Sequence, residues 1–124
     1  MEMRNQIPKC NLIVLNQLYE LEQKLKKQSD ASNFARNIAK MKEAFADEGL
    51  PDAAGGRVRL AYEDPMGQSF KETRTDLEVT ISGSGTEDLV VVEVIKPIIR
   101  AIVADGVSFV VQKGIVIVES RKGQ

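Results

Sequence analysis

Residues 50–62 read LPDAAGGRVRLAY, and the change of rhythm inside them decides the fold. Before this stretch the apolar residues recur every three or four positions. After the paired glycines Gly55 and Gly56 they alternate, with Val58, Leu60 and Tyr62 on one side. Pro51 and the two glycines form a joint that interrupts either kind of regular structure. The chain therefore reads as helix upstream and strand downstream.

Working upstream, Asn11 to Gln28 is NLIVLNQLYELEQKLKKQ, with Val14, Leu18, Leu21 and Leu25 spaced four, three and four apart. That spacing is one stripe of a helix. Lys24, Lys26 and Lys27 gather near its end, where positive charge complements the helix dipole. The stripe can serve the core of its own chain or a dimer seam, and Val14, Leu18, Leu21 and Leu25 are the residues assigned to such a seam. A second helix carries Phe34, Ile38, Met41 and Phe45 at the same spacing, with Asp30 or Ser32 as N-cap and Gly49 and Pro51 as its stop. The short break SDAS between the helices predicts an antiparallel hairpin. Met41 and the phenylalanines read as a core stripe rather than a cofactor pocket.

Downstream, TDLEVTI alternates Leu77, Val79 and Ile81 against Asp76, Glu78 and Thr80. SGSGTED is the next turn. LVVVEVIKPII is β-branched throughout, which predicts a strand buried on much of both faces, with Pro97 marking its end, an edge or a bulge. VSFVV and GIVIVES supply two more strands. Helices before strands predict an α+β fold: an N-terminal helical hairpin followed by a small antiparallel β barrel or sandwich of about five strands. We expect a single domain over 1–124, with a helical segment at 11–48 and a β module at 56–120.

Composition restricts the chemistry. The chain of 124 residues is 43% hydrophobic and 28% charged, with a formal net charge of −1, and neither sign forms a long block. A broad nucleic-acid footprint is not expected. The absence of histidine removes Ser-His-Asp and Cys-His catalysis and the commonest zinc ligand. Cys10 is the only cysteine, which suits a reducing compartment, and it has no histidine to activate it. The opening residues MEMRNQIPKCNLIVL match neither a signal peptide nor a membrane span, so a cytoplasmic location and no membrane partner are expected.

The most polar stretch of the strand-rich half is DPMGQSFKETRTDLEV, residues 64–79. Pro65 and Gly67 make a turn, Phe70 faces the core, and KETRTD remains. Lys71, Glu72, Thr73, Arg74, Thr75 and Asp76 are assigned as a partner-binding surface. An alternative is a small enzyme or anionic-ligand-binding protein, with Arg74 on the anion and Glu72 or Asp76 moving protons. A purely self-assembling structural protein is a further alternative. Glu72 with Asp76, or Glu93 with Glu119, would suit an acid–base or magnesium pair only if folding brought them together. SGSGTED lacks the Lys-Ser/Thr and the following helix of a phosphate loop. Lys96 and Lys113 read as edge and turn charges rather than Schiff-base lysines. No catalytic residue, cofactor or metal is expected.

The same half resembles the C-terminal β domain of GrpE, the nucleotide exchange factor of DnaK-type chaperones. The resemblance covers roughly residues 56 to 118 and runs through PMGQSF, VVVEVIKPIIR and VQKGIVIV. Pro65, Gly67 and Phe70 match the family's Pro-x-Gly-x-x-Phe turn, Val92 to Ile95 its Val-x-Glu-Val-Leu segment, and Ile115 to Val118 its last strand. Lys71 and Glu72 stand where the family has Asp-Pro, Thr75 and Asp76 where it has His-Glu, and Pro97 and Ile98 where it has Gly-Tyr. The helices are also far shorter than the family's. The resemblance implies a non-enzymatic co-chaperone of the stress response that docks onto a chaperone ATPase domain and favours its nucleotide-released conformation. It also implies a homodimer joined through the helices.

Overall fold

The computed structural model describes residues 7, 9–27, 32–51, 56–103 and 106–121. The candidate N-cap Asp30, most of the SDAS break and the centre of the Pro51–Gly56 joint lie outside the described residues, as does the side chain of Ser32. Among the described residues, two helices precede eight strands, α1 Lys9–Lys26, α2 Ser32–Glu43, then β1 Leu50–Pro51, β2 Arg57–Glu63, β3 Ser69–Phe70, β4 Leu77–Ser82, β5 Leu89–Lys96, β6 Ile98–Ile102, β7 Ser108–Gln112 and β8 Gly114–Ser120. The fold is α+β with a helical N-terminal part, as the change of periodicity predicts.

The chain forms two compact units, 1–62 with 100–111 and 63–99 with 112–124. The division does not follow the boundary between helices and strands, because β1 and most of β2, β6 and β7 belong with the helices. The strands form two four-stranded sheets, ordered β1-β2-β6-β7 and β3-β5-β8-β4.

In the helical unit, α1 buries Leu15, Leu18 and Tyr19, a face set at i, i+3 and i+4. The expected stripe lies about one residue to the side of this face. Leu18 is buried and Leu25 half-buried, whereas Val14 and Leu21 are 45% and 47% exposed. Tyr19 explains the rotation: its ring takes the place of an aliphatic side chain and packs edge-on against the Tyr62 ring. Leu18, one of the four residues assigned to a dimer seam, is 3% exposed and packs in the core of its own chain. In α2, Ile38 is buried, but Phe34 and Met41 are exposed. The helix then widens into a π-helical turn over Ala44–Glu48, closed by a hydrogen bond from the Gly49 N–H to the Ala44 carbonyl. Gly49 has φ +72, and a Cβ there would collide with the carbonyl of Val58. The glycine lets the helix end close against β2, which pairs with β1 through Leu50 with Val58 and Pro51 with Arg57.

In the second unit, β8 is central and buries Val116, Val118 and Ser120. It runs antiparallel to β5 and parallel to β4, with Leu77 opposite Gly114 and Val79 opposite Val116. The parallel pair corrects the expectation of an entirely antiparallel module. SGSGTED does join β4 to β5, but these strands do not pair, because β8 from the C-terminal part of the chain lies between them. Pro97 is buried and separates β5 from β6, so the long apolar run is two strands. Register shifts between Val91 and Glu93 and between Val94 and Lys96 mark bulges in β5, and Val92 and Ile95 at these shifts are exposed.

Candidate functional site

The segment Lys71–Asp76 links β3 and β4, which are the two edge strands of their sheet, so the polar stretch is a connector from one edge to the other. A tight turn leads into it. Pro65 is buried, the Met66 N–H donates to Asp64 Oδ1 at 3.1 Å, and the Gln68 N–H donates to the Pro65 carbonyl at 3.0 Å. Gly67, with φ +82, completes the turn and donates to the Val91 carbonyl.

Arg74 organises the connector itself. Its Nε donates to Asp76 Oδ1 at 2.9 Å and its Nη2 to Asp76 Oδ2 at 3.0 Å, a bidentate fork. Its Nη1 donates to Gln68 Oε1 and to the Ser69 carbonyl, both at 3.1 Å. The Asp76 hydrogen bonds hold the guanidinium above its ordinary pKa against the opposing effect of burial. The Asp76 carbonyl in turn accepts from the Gly114 N–H, which anchors the end of the connector on β8.

The six residues assigned to a partner surface therefore divide. Lys71, Glu72, Thr73 and Thr75 are exposed, while Arg74 and Asp76 are half-buried and bind each other. This bears directly on an anion-binding Arg74, since four of its five N–H donors are already used within the chain. Glu93 and Glu119 are exposed and stand in different register positions, Glu93 opposite Ile117 and Glu119 opposite Val90. Among the described residues, no buried side-chain nitrogen or oxygen lacks a hydrogen-bond partner. No group of three acidic or cysteine side chains suited to a metal occurs among them either.

A second polar cluster lies in the helical unit, and the sequence reading missed it. Glu22 on α1 accepts from the Tyr62 hydroxyl of β2 at 2.9 Å and from Lys42 Nζ of α2 at 3.1 and 3.3 Å. The Lys42 ammonium also stands 4.8 Å from the centroid of the Tyr62 ring, and Tyr19 meets that ring edge-on at 5.7 Å. Burial is the largest influence on Glu22 and opposes its charge. The hydrogen bonds from Tyr62 and Lys42, with the charges of Lys42 and Lys26, outweigh it and hold the carboxyl below its usual range. Burial, then the hydrogen bond to Glu22 and its negative charge, push the Tyr62 phenol well above its ordinary pKa. At neutral pH this trio is a carboxylate held by two donors, with neither a ready proton donor in Glu22 nor a base in Tyr62. The available signal was Glu22 itself, three residues beyond Tyr19 on the buried face of α1.

Glu22, Lys42 and Tyr62 border a cavity of about 320 Å³, with apolar walls from Leu15, Leu60, Ala39, Ala46 and Ala61. A smaller cavity of about 170 Å³ adjoins Glu22 on the side of Leu25 and Ile38. Neither is lined by the Lys71–Asp76 connector. No helix among the described residues is long and apolar enough to cross a membrane. No family model, curated protein or solved structure matches the chain.

Proposed function

We propose that the chain is a non-enzymatic protein-interaction module that docks onto the ATPase domain of a DnaK-type chaperone and accelerates nucleotide release. It does so by binding the nucleotide-released conformation better than the closed one. The observation that carries this reading is the Arg74–Asp76 fork. It turns this polar segment of the β half into a shaped strip that presents Lys71, Glu72, Thr73 and Thr75 outward. A preformed strip binds without the cost of ordering a loop. The resemblance of residues 56 to 118 to the β domain of the exchange-factor family supplies the partner class. Pairing of α1 helices in a homodimer, with Val14 and Leu21 as its exposed apolar contacts, and a cytoplasmic location complete the reading.

Release of a fluorescent nucleotide from a DnaK-type chaperone tests it. The intact protein raises the release rate, and simultaneous alanine replacement of Lys71, Glu72, Thr73 and Thr75 removes the effect. No acceleration at large excess of the intact protein, with no capture of the chaperone on a column, overturns the proposal.

A further inference from the structure

The larger cavity of the helical unit has a cause in the sequence. Three of its wall positions are alanines, and Ala46 stands in the π-helical turn, where the widened helix displaces side chains from ordinary α-helical spacing. A leucine at Ala39 or Ala46 would add three carbons to a wall that now presents a methyl group. At about 320 Å³ the cavity falls at the small end of ligand sites, with mostly apolar walls and polar groups from Glu22, Lys42, Glu43 and Tyr62.

Those polar groups restrict the charge of an occupant. Glu22 and Glu43 both line the cavity, so an anion meets two carboxylates against the single ammonium of Lys42. A cation would duplicate what Lys42 already does, seated on the Glu22 carboxylate and over the Tyr62 ring. A neutral acceptor meets neither objection. An ammonium carries three N–H donors, and its two contacts with Glu22 use at most two of them.

We propose that this cavity binds a small neutral molecule with an apolar body and one hydrogen-bond acceptor, the body against the alanine wall and the acceptor on Lys42. For a ligand of roughly ten heavy atoms, the dissociation constant falls at about 0.1 to 1 mM. The site is independent of the chaperone-docking reading, which concerns the other unit.

Three probes of similar size separate the charge classes: acetophenone, benzoate and benzylamine. They are titrated into the intact protein while the backbone amide resonances of Ala39, Ala46 and Ala61 are followed by nuclear magnetic resonance. Acetophenone is expected to give saturable shifts at these amides and to bind at least roughly threefold more tightly than either charged probe. Ala39→Leu and Ala46→Leu, each checked for native helicity, are expected to weaken it roughly tenfold or more. Lys42→Met is expected to reduce acetophenone to the affinity of ethylbenzene, which lacks the acceptor. Tighter binding of benzoate or benzylamine overturns the proposal. So do shifts that do not saturate, or unchanged acetophenone binding in a folded Ala39→Leu or Ala46→Leu protein.

Discussion

Replacing Tyr62 by Phe deletes one oxygen and leaves the ring, with its edge-on contact to Tyr19 and its place under the Lys42 ammonium. What is lost is the hydrogen bond of 2.9 Å to Glu22 Oε1. Hydrogen bonds to charged groups contribute about 1.5–3 kcal/mol. The Glu22 side chain keeps 27% of its exposure, so water replaces part of the lost donor and the lower end applies. We expect a loss of about 1–2 kcal/mol near pH 7. The pH dependence tests the cause. The folded-state pKa of Glu22 is depressed, so its contribution is fully present above the unfolded-state pKa and is lost as pH falls through the folded value. At acid pH, below that folded value, the carboxyl is protonated, and the penalty of Tyr62→Phe shrinks toward the ~1 kcal/mol or less of a neutral pair. The assay is chemical denaturation followed by tyrosine fluorescence. The chain has no tryptophan, and both tyrosines lie in the helical unit, so Tyr19 reports that unit in the variant. In a Glu22→Gln background the Tyr62→Phe penalty is expected to fall by about half or more. An equal penalty at both pH values and in both backgrounds would refute the assignment of the energy to this bond.

Further perturbations address the β unit and the helix end. Gly114→Ala places a methyl 2.9 Å from Leu77 Cδ2 and 3.0 Å from Ile98 Cγ1, and we expect about 1–3 kcal/mol of destabilisation by overpacking, read as a lower denaturation midpoint with unchanged slope. Arg74→Lys keeps the charge and loses the fork, costing about 0.5–1.5 kcal/mol at this partly exposed site, with hydrogen exchange at the connector amides accelerated in the variant. Alanine at Lys71, Glu72, Thr73 and Thr75 together changes stability by less than about 1 kcal/mol, since all four are exposed, so any loss of chaperone response in that protein is a loss of contact. Gly49→Ala combines a left-handed backbone with a collision against a main-chain carbonyl and is expected to cost about 2 kcal/mol or more, seen in the helical circular dichroism signal during unfolding.

The residues legible in the sequence are those whose role is set by near neighbours. The periodicity change around Gly55 and Gly56 marks the passage from helix to strand, Gly49 ends the second helix, and Pro97 divides the long apolar run. Pairing between distant segments was hidden. β4 and β5 read as successive strands joined by the SGSGTED turn, yet the strand that pairs with both lies beyond residue 113. Period-two alternation fixes which side chains share a face of a strand and says nothing of which strand lies beside it. The helix faces were misread for a related reason. A rule that counts apolar residues selects Val14 and Leu21, whereas the core admits Tyr19 and the edge of Glu22 because Tyr62 and Lys42, 40 and 20 positions away, satisfy the carboxylate. At the connector, composition marks six polar residues but cannot separate the two that hold its shape from the four that face outward.

The position of β8 between β4 and β5 links the fold of the β unit to the proposed docking strip. β4 and β5 do not pair with each other, and β4 makes its ladder with residues 114–120, which lie between the two strands. Non-local pairing of this kind is slow because the intervening loop must be closed before any ladder bond forms. The connector shares that dependence through one bond, from the Gly114 N–H to the Asp76 carbonyl, at the residue whose carboxylate holds the Arg74 fork. A side chain at Gly114 would press on Leu77 directly beyond Asp76, so the position serves both the packing of β8 and the end of the strip. Shape at Lys71–Asp76 is therefore a property of the finished sheet rather than of the six residues alone, and a partner that reads the strip reads a completed β unit.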